Sequence, residues 1–158
     1  MAGIRRYEEA RRFLREPQEA ARELAIRMEQ LRRWRETAER TTKCLGGARV
    51  QEQGSSRVEA CACELAELEA SIERTRQRAH ALRERQEDVL GRLNDARLTE
   101  VLRLYYQCSF TWAEAAEHMG YSERQIQRLH MAALAQVERI LEEDGERLSE
   151  SRALPRAV

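Results

Sequence analysis

The side chains of this sequence best suited to chemistry fall in one short row: Ser122, Glu123, Arg124, Gln125, Gln127, Arg128 and Met131. Arginine presents a rigid fork of donors and glutamine a donor beside an acceptor, the geometries that match guanine and adenine edges in a DNA major groove. That chemistry is recognition, with no bond made or broken. Glu123 admits two roles, accepting from a cytosine amino group or complementing a helix dipole from the first turn, and the second is favoured. Arg124 and Arg128 are read as contacts to bases or phosphates.

Catalytic and metal chemistry find no comparable arrangement. His80, His118 and His130 are scattered over separate helical segments, without a nucleophile or carboxylate in register. There is no phosphate-cradling glycine loop and no His-Glu-x-x-His pair. Cys44, Cys61, Cys63 and Cys108 lack metal-type spacing, and Cys61 and Cys63 point to nearly opposite faces of a helix. Neither enzyme, cofactor nor metal is therefore expected. His118 and His130 are read as polar residues near a helix end or at the surface, with His130 in reach of a phosphate. The cysteines are read as buried or half-buried thiols in a reducing compartment.

The elements that must hold the row are encoded locally. Thr111 with Glu114, and Ser122 with Gln125, each have the spacing of a capping box. Between them Gly120 stands where a first helix must end in a left-handed residue. Trp112, Ala115, Ala116 and Met119 fall on one face before the turn, and Tyr121, Ile126, Leu129 and Ala133 on one face after it. The outer side of the second helix is left to the row described above.

From Arg97 to Leu141, RLTEVLRLYYQCSFTWAEAAEHMGYSERQIQRLHMAALAQVERIL resembles region 4 of sigma-70-type transcription factors: a leucine-rich helix, an aromatic pair, a small-residue helix, a glycine turn and a recognition helix. The wording from Trp112 is also similar to phage and prophage late-gene regulators of the ArpU and RinA types. The resemblance implies a helix-turn-helix that binds promoter or operator DNA, with RNA polymerase as a further partner. Carried over by position, the family's base contacts fall on Glu123, Arg124 and Arg128. Gln125 and Gln127 stand where that family often has arginines, so weaker phosphate contact and a different site are implied.

Upstream, a three-then-four apolar spacing runs from Val58 through Leu65, Leu68, Ile72 and Leu82 to Ala96. A second stripe runs from Tyr7 through Leu14, Leu24, Met28 and Leu31 to Leu45, with Arg35 as its one charged intruder and Trp34 beside it. Pro17 leaves that register intact and reads as a kink or a first-turn residue. The short connection GGARVQEQGSS predicts that the two helices fold back on each other as an antiparallel, coiled-coil-like hairpin. Gly91, followed by Asn94 and Asp95, marks a joint.

The expected architecture is thus all-α: a helical hairpin over 1–94 with its loop at 46–56, a helix-turn-helix domain over 95–143 and a flexible tail over 144–158. Charged residues make up 35% and aromatics 5% of 158 residues, a balance suited to long helices with narrow apolar stripes. Such stripes bury little by themselves, so a homodimer or higher oligomer through the N-terminal helices is expected. No segment approaches the length of a membrane span, and a cytoplasmic location is expected.

Net charge is zero, but residues 1–45 carry 12 positive and 8 negative groups while residues 95–143 carry 5 and 8. The segment expected to meet DNA is therefore acidic. Two other readings remain beside a transcription regulator. One is a DNA-packaging oligomer like the small phage terminase subunits, whose DNA-binding head usually precedes the coil. The other is a helical protein-interaction module without DNA binding.

Overall fold

The computed structural model describes residues 7–44 and 53–153. Among them the chain is all-helical: α1 (Glu8–Cys44), α2 (Gln53–Gly91), α3 (Ala96–Leu102), α4 (Trp112–Met119) and α5 (Glu123–Ala153). A single π-helical turn, Arg103–Gln107, continues α3. Of the connection expected at 46–56, residues 46–52 lie outside the described residues, and α2 has already begun at Gln53. Glycine and serine at a helix start cost only about 1 kcal/mol or less each. Among the described residues no helix is long and apolar enough to cross a membrane.

Two compact units form, one from residues up to Gln18 together with those from Leu82 onward, the other from Glu19–Ala81. This division differs from the boundary expected after residue 94. The reason is packing: Ala10, Phe13 and Leu14 of α1, and Val89 and Leu90 of α2, are buried in one cluster with residues of α3 and α5.

In the 19–81 unit little is buried; Ala20, Ile72 and Thr75 are the buried side chains among the described residues there. Arg27 donates to Ser71 Oγ, Arg35 Nη2 lies 2.7 Å from Glu69 Oε1, and Arg78 Nη1 lies 3.9 Å from Glu23 Oε2. The expected stripe on α1 holds at Leu24, Leu31 and Ala38, and its alternate positions move by one residue, from Met28 to Arg27 and from Arg35 to Trp34. Leu24, Arg27, Leu31, Trp34 and Ala38 are the less exposed row, while Arg35 is exposed and Met28 is 48% exposed. A straight helix drifts against a strict heptad, and the large indole takes the shielded position while the guanidinium turns out to a carboxylate.

Cys61 and Cys63 are exposed rather than buried, as is Cys108 in the other unit. The cysteine expectation is corrected there; the side chain of Cys44 lies outside the described residues. On α2, Val58 is 69% exposed, and Cys61, the next position of the apolar row, is exposed as well.

The other unit holds the main core. Leu98 and Leu102 of α3, Tyr106, and Ala133, Leu134 and Val137 of α5 close around the α1 and α2 residues named above. Pro17 sits inside α1, beyond its first turn, where its missing N–H leaves the Phe13 carbonyl without its helical donor. Gln86, an expected stripe position, is buried, yet its Nε2 donates to the Leu14 carbonyl at 2.8 Å and its Oε1 accepts from Gln107 Nε2 at 3.1 Å. Buried amides persist only when paired in this way. α5 continues through Ala153, so the stretch expected as a flexible tail from residue 144 is helical to that point. Asp144 helps hold it, with Oδ2 at 2.8 Å from Arg92 Nη1.

Candidate nucleic-acid interface

The α4–α5 corner is built by its caps. Thr111 Oγ1 accepts from the Glu114 N–H at 3.3 Å, while Glu114 Oε2 accepts from the Thr111 N–H at 2.7 Å. Those bonds hold the Glu114 carboxyl below the usual range, the backbone bond contributing most. Gly120 ends α4 at φ 70°, ψ 32°, and the Tyr121 N–H returns to the Ala116 carbonyl at 2.9 Å. Ser122 and Gln125 repeat the device: Gln125 Oε1 accepts from the Ser122 N–H at 2.9 Å, and Ser122 Oγ accepts from the Gln125 N–H at 3.3 Å. Each satisfied orphan N–H contributes on the order of 1 kcal/mol and fixes where its helix starts.

The inner face is apolar. Ala115, Ala116 and Ile126 are buried with Val101 and Leu104, and Trp112, Met119, Tyr121 and Leu129 pack against them. The small alanines let α4 approach α5 closely. α5 is therefore fixed in rotation about its axis, which decides what its other side presents.

On that side Ser122, Glu123, Arg124, Gln125, Gln127 and Arg128 are all exposed. They do not stand alike. Ser122 and the Gln125 side-chain oxygen Oε1 are engaged in the cap. Glu123 occupies the first turn of α5, where a carboxylate complements the dipole. Among the described residues, Arg124, Gln127 and Arg128 have neither an ion-pair nor a hydrogen-bond partner. Met131, placed in the same row by sequence, is half-buried and packs against the core, with its Sδ 3.7 Å from Arg11 Nη2 of α1.

His130 is not a surface residue. It is 2% exposed, because the π-helical turn presents Tyr105 and Tyr106 side by side toward α4 and α5. Tyr105 stacks on Trp112 with centroids 4.2 Å apart, and the His130 ring lies inclined at 64° to that of Trp112 with centroids 4.8 Å apart. The Tyr106 hydroxyl lies 3.2 Å from His130 Nε2. Burial first, then the nearby Arg11 and Arg15 charges, push the imidazole down to about 4, so it is neutral at pH 7. Burial also raises the Tyr106 phenol. His130 is thus a packed positioning group, out of reach of any phosphate. His118 is the exposed one, with Nε2 4.0 Å from Glu100 Oε1.

The charges around the corner are sorted. Arg92, Arg97, Arg103 and Arg139 are paired with Asp144, Asp95, Glu87 and Glu143. Arg11, Arg12 and Arg15 of α1 have no carboxylate at ion-pair distance among the described residues. The placement of Arg11 and Arg15 beside α5 was missed by motif reading; the positive excess of the N-terminal segment was its one sequence signal. The chain matches no family model, no curated protein and no solved structure.

Proposed function

We propose that this chain is a sequence-specific, non-enzymatic regulator of transcription that reads double-stranded DNA through α5. In this reading α3, α4 and α5 are a helix-turn-helix of the sigma-70 region-4 kind, and α1 and α2 form a coiled-coil-like hairpin that associates with a second copy. The observation that carries it is the Arg124–Gln127–Arg128 row, exposed and unpaired on a helix whose opposite face is locked by Ile126, His130 and Ala133. Unpaired guanidinium forks on a rigid helix are suited to guanine edges, each bidentate contact supplying about 1–3 kcal/mol of discrimination. Exposed Ile26, Met28 and Val58 favour self-association, and paired copies read half-sites one helical turn apart. Promoter or operator DNA is the ligand of this reading, RNA polymerase a further partner and the cytoplasm the location, consistent with the late-gene phage regulators the sequence resembles.

The acidic balance of residues 95–143 favours a second reading, in which these helices contact protein and not DNA. Selection of bound fragments from a random duplex pool separates the two. The DNA reading expects an enriched motif that the Arg124→Ala/Arg128→Ala variant no longer selects. An unenriched pool, or an identical motif from the variant, contradicts it.

A further inference from the structure

We infer that Arg11 and Arg15 of α1 extend the α5 surface and hold the phosphate backbone of the duplex whose bases Arg124 and Arg128 contact. The inference rests on the DNA reading above and adds a second element to it, from a part of the chain far away in sequence.

Placement is the first argument. Met131 follows Arg128 by one helical turn on α5, and Arg11 Nη2 reaches its sulfur at 3.7 Å, so this guanidinium borders the outer row. Arg15, four residues on, lies on the same face of α1. The stretch is pinned at both ends: the Ala10 N–H donates to Glu138 Oε2 at 2.7 Å, and Gln18 Nε2 donates to Ser109 Oγ at 2.6 Å. The two arginines are therefore carried by a fixed piece of helix.

Their lack of an internal anion is the second argument. Arg11 Nε is buried without an acceptor, and its Nη2 meets only a thioether, a weak acceptor. Glu8, one turn earlier on the same face, makes no ion pair with it among the described residues. Glu138 is engaged with the α1 backbone, and Glu16 is half-buried without pairing to either arginine. Two like charges four residues apart repel and weaken the helix slightly, and the charge of both is felt by Tyr106 and His130. A phosphate diester accepts from both forks, and its negative charge removes that repulsion.

The test is a titration of the full-length protein with a fluorescent duplex of random sequence, about 30 base pairs long, at several salt concentrations. Each phosphate contact contributes about 0.9 to the slope of log affinity against log salt. The Arg11→Gln/Arg15→Gln variant is expected to lose roughly 1.8 from that slope, and roughly five- to tenfold in affinity per arginine at 0.1 M salt. Arg15→Gln alone, at an exposed position, should lose about half as much in slope, and Arg15→Lys should keep it. A slope unchanged in Arg15→Gln, while Arg124→Ala/Arg128→Ala still weakens binding, overturns this inference and leaves the DNA reading standing. A wild-type protein that binds no duplex even at low salt overturns both.

Discussion

In the 19–81 unit, Arg27, Arg32, Arg33, Arg35, Arg76 and Arg78 are each paired with a glutamate, whereas at the α5 surface Arg124 and Arg128 face solvent with none. The same residue type serves two purposes. Exposed pairs stabilise by about 0–1 kcal/mol each and leave little net charge for a ligand. Glu29 shows the local effect: hydrogen bonds from Arg32 and then Arg33 bring its carboxyl down to about 2. On α5 and the facing edge of α1 the charges are left open, on a scaffold whose core fixes where they point. Arg22, Arg40 and Arg74 of the 19–81 unit are also exposed without a carboxylate at ion-pair distance among the described residues, so what sets the α1–α5 face apart is the buried core that fixes its open charges.

Core truncation should sharpen this difference most. Leu134 is fully buried, whereas Leu24 is only half-buried. Leu134→Ala is expected to cost about 2–5 kcal/mol, and Leu24→Ala about 1 kcal/mol or less, measured by urea denaturation. Equal losses would mean that the two units share one level of packing.

Acid should act next, through His130. Its folded pKa lies below the unfolded value, so the unfolded chain binds the extra proton between pH 6.5 and about 4. The stability of the neutral, packed imidazole is complete above about pH 6.5 and declines as pH falls toward 4, by up to about 3 kcal/mol. Thermal unfolding across that window should show the decline, and His130→Gln should flatten it. The paired carboxylate of Glu29 has the opposite sign of shift: its small contribution is present above about pH 4.5 and fades only toward pH 2.

The smallest effect belongs to the paired arginines. Arg35→Ala removes the contact to Glu69 and is expected to change stability by less than about 1 kcal/mol, with the difference shrinking at 1 M salt. A larger, salt-resistant loss would show that these pairs hold the unit together.

Local chemistry was readable in the sequence. The Thr111 and Ser122 caps, the left-handed Gly120 and the inward Ala115, Ala116, Ile126 and Ala133 depend on residues three or four apart, and the structure has them. What escaped depends on distant partners or on helical phase. His130 is buried because a π-helical turn, more than twenty residues earlier, aims Tyr106 at it. Trp34 and Arg35 exchange roles because a small drift of the helix decides which neighbour is shielded. The start of α1 joins α5 through Phe13 and Leu14, whose apolar spacing fits a hairpin stripe equally well.

The most direct measurement is a map of backbone amide shifts in the isotope-labelled full-length protein as a DNA duplex is added. The changes are expected to concentrate at Ser122–Met131 and Arg11–Arg15, with the helices between Glu19 and Ala81 nearly unaffected. Shifts confined to those paired helices, or no shift on α5 at saturating duplex, would contradict the DNA reading.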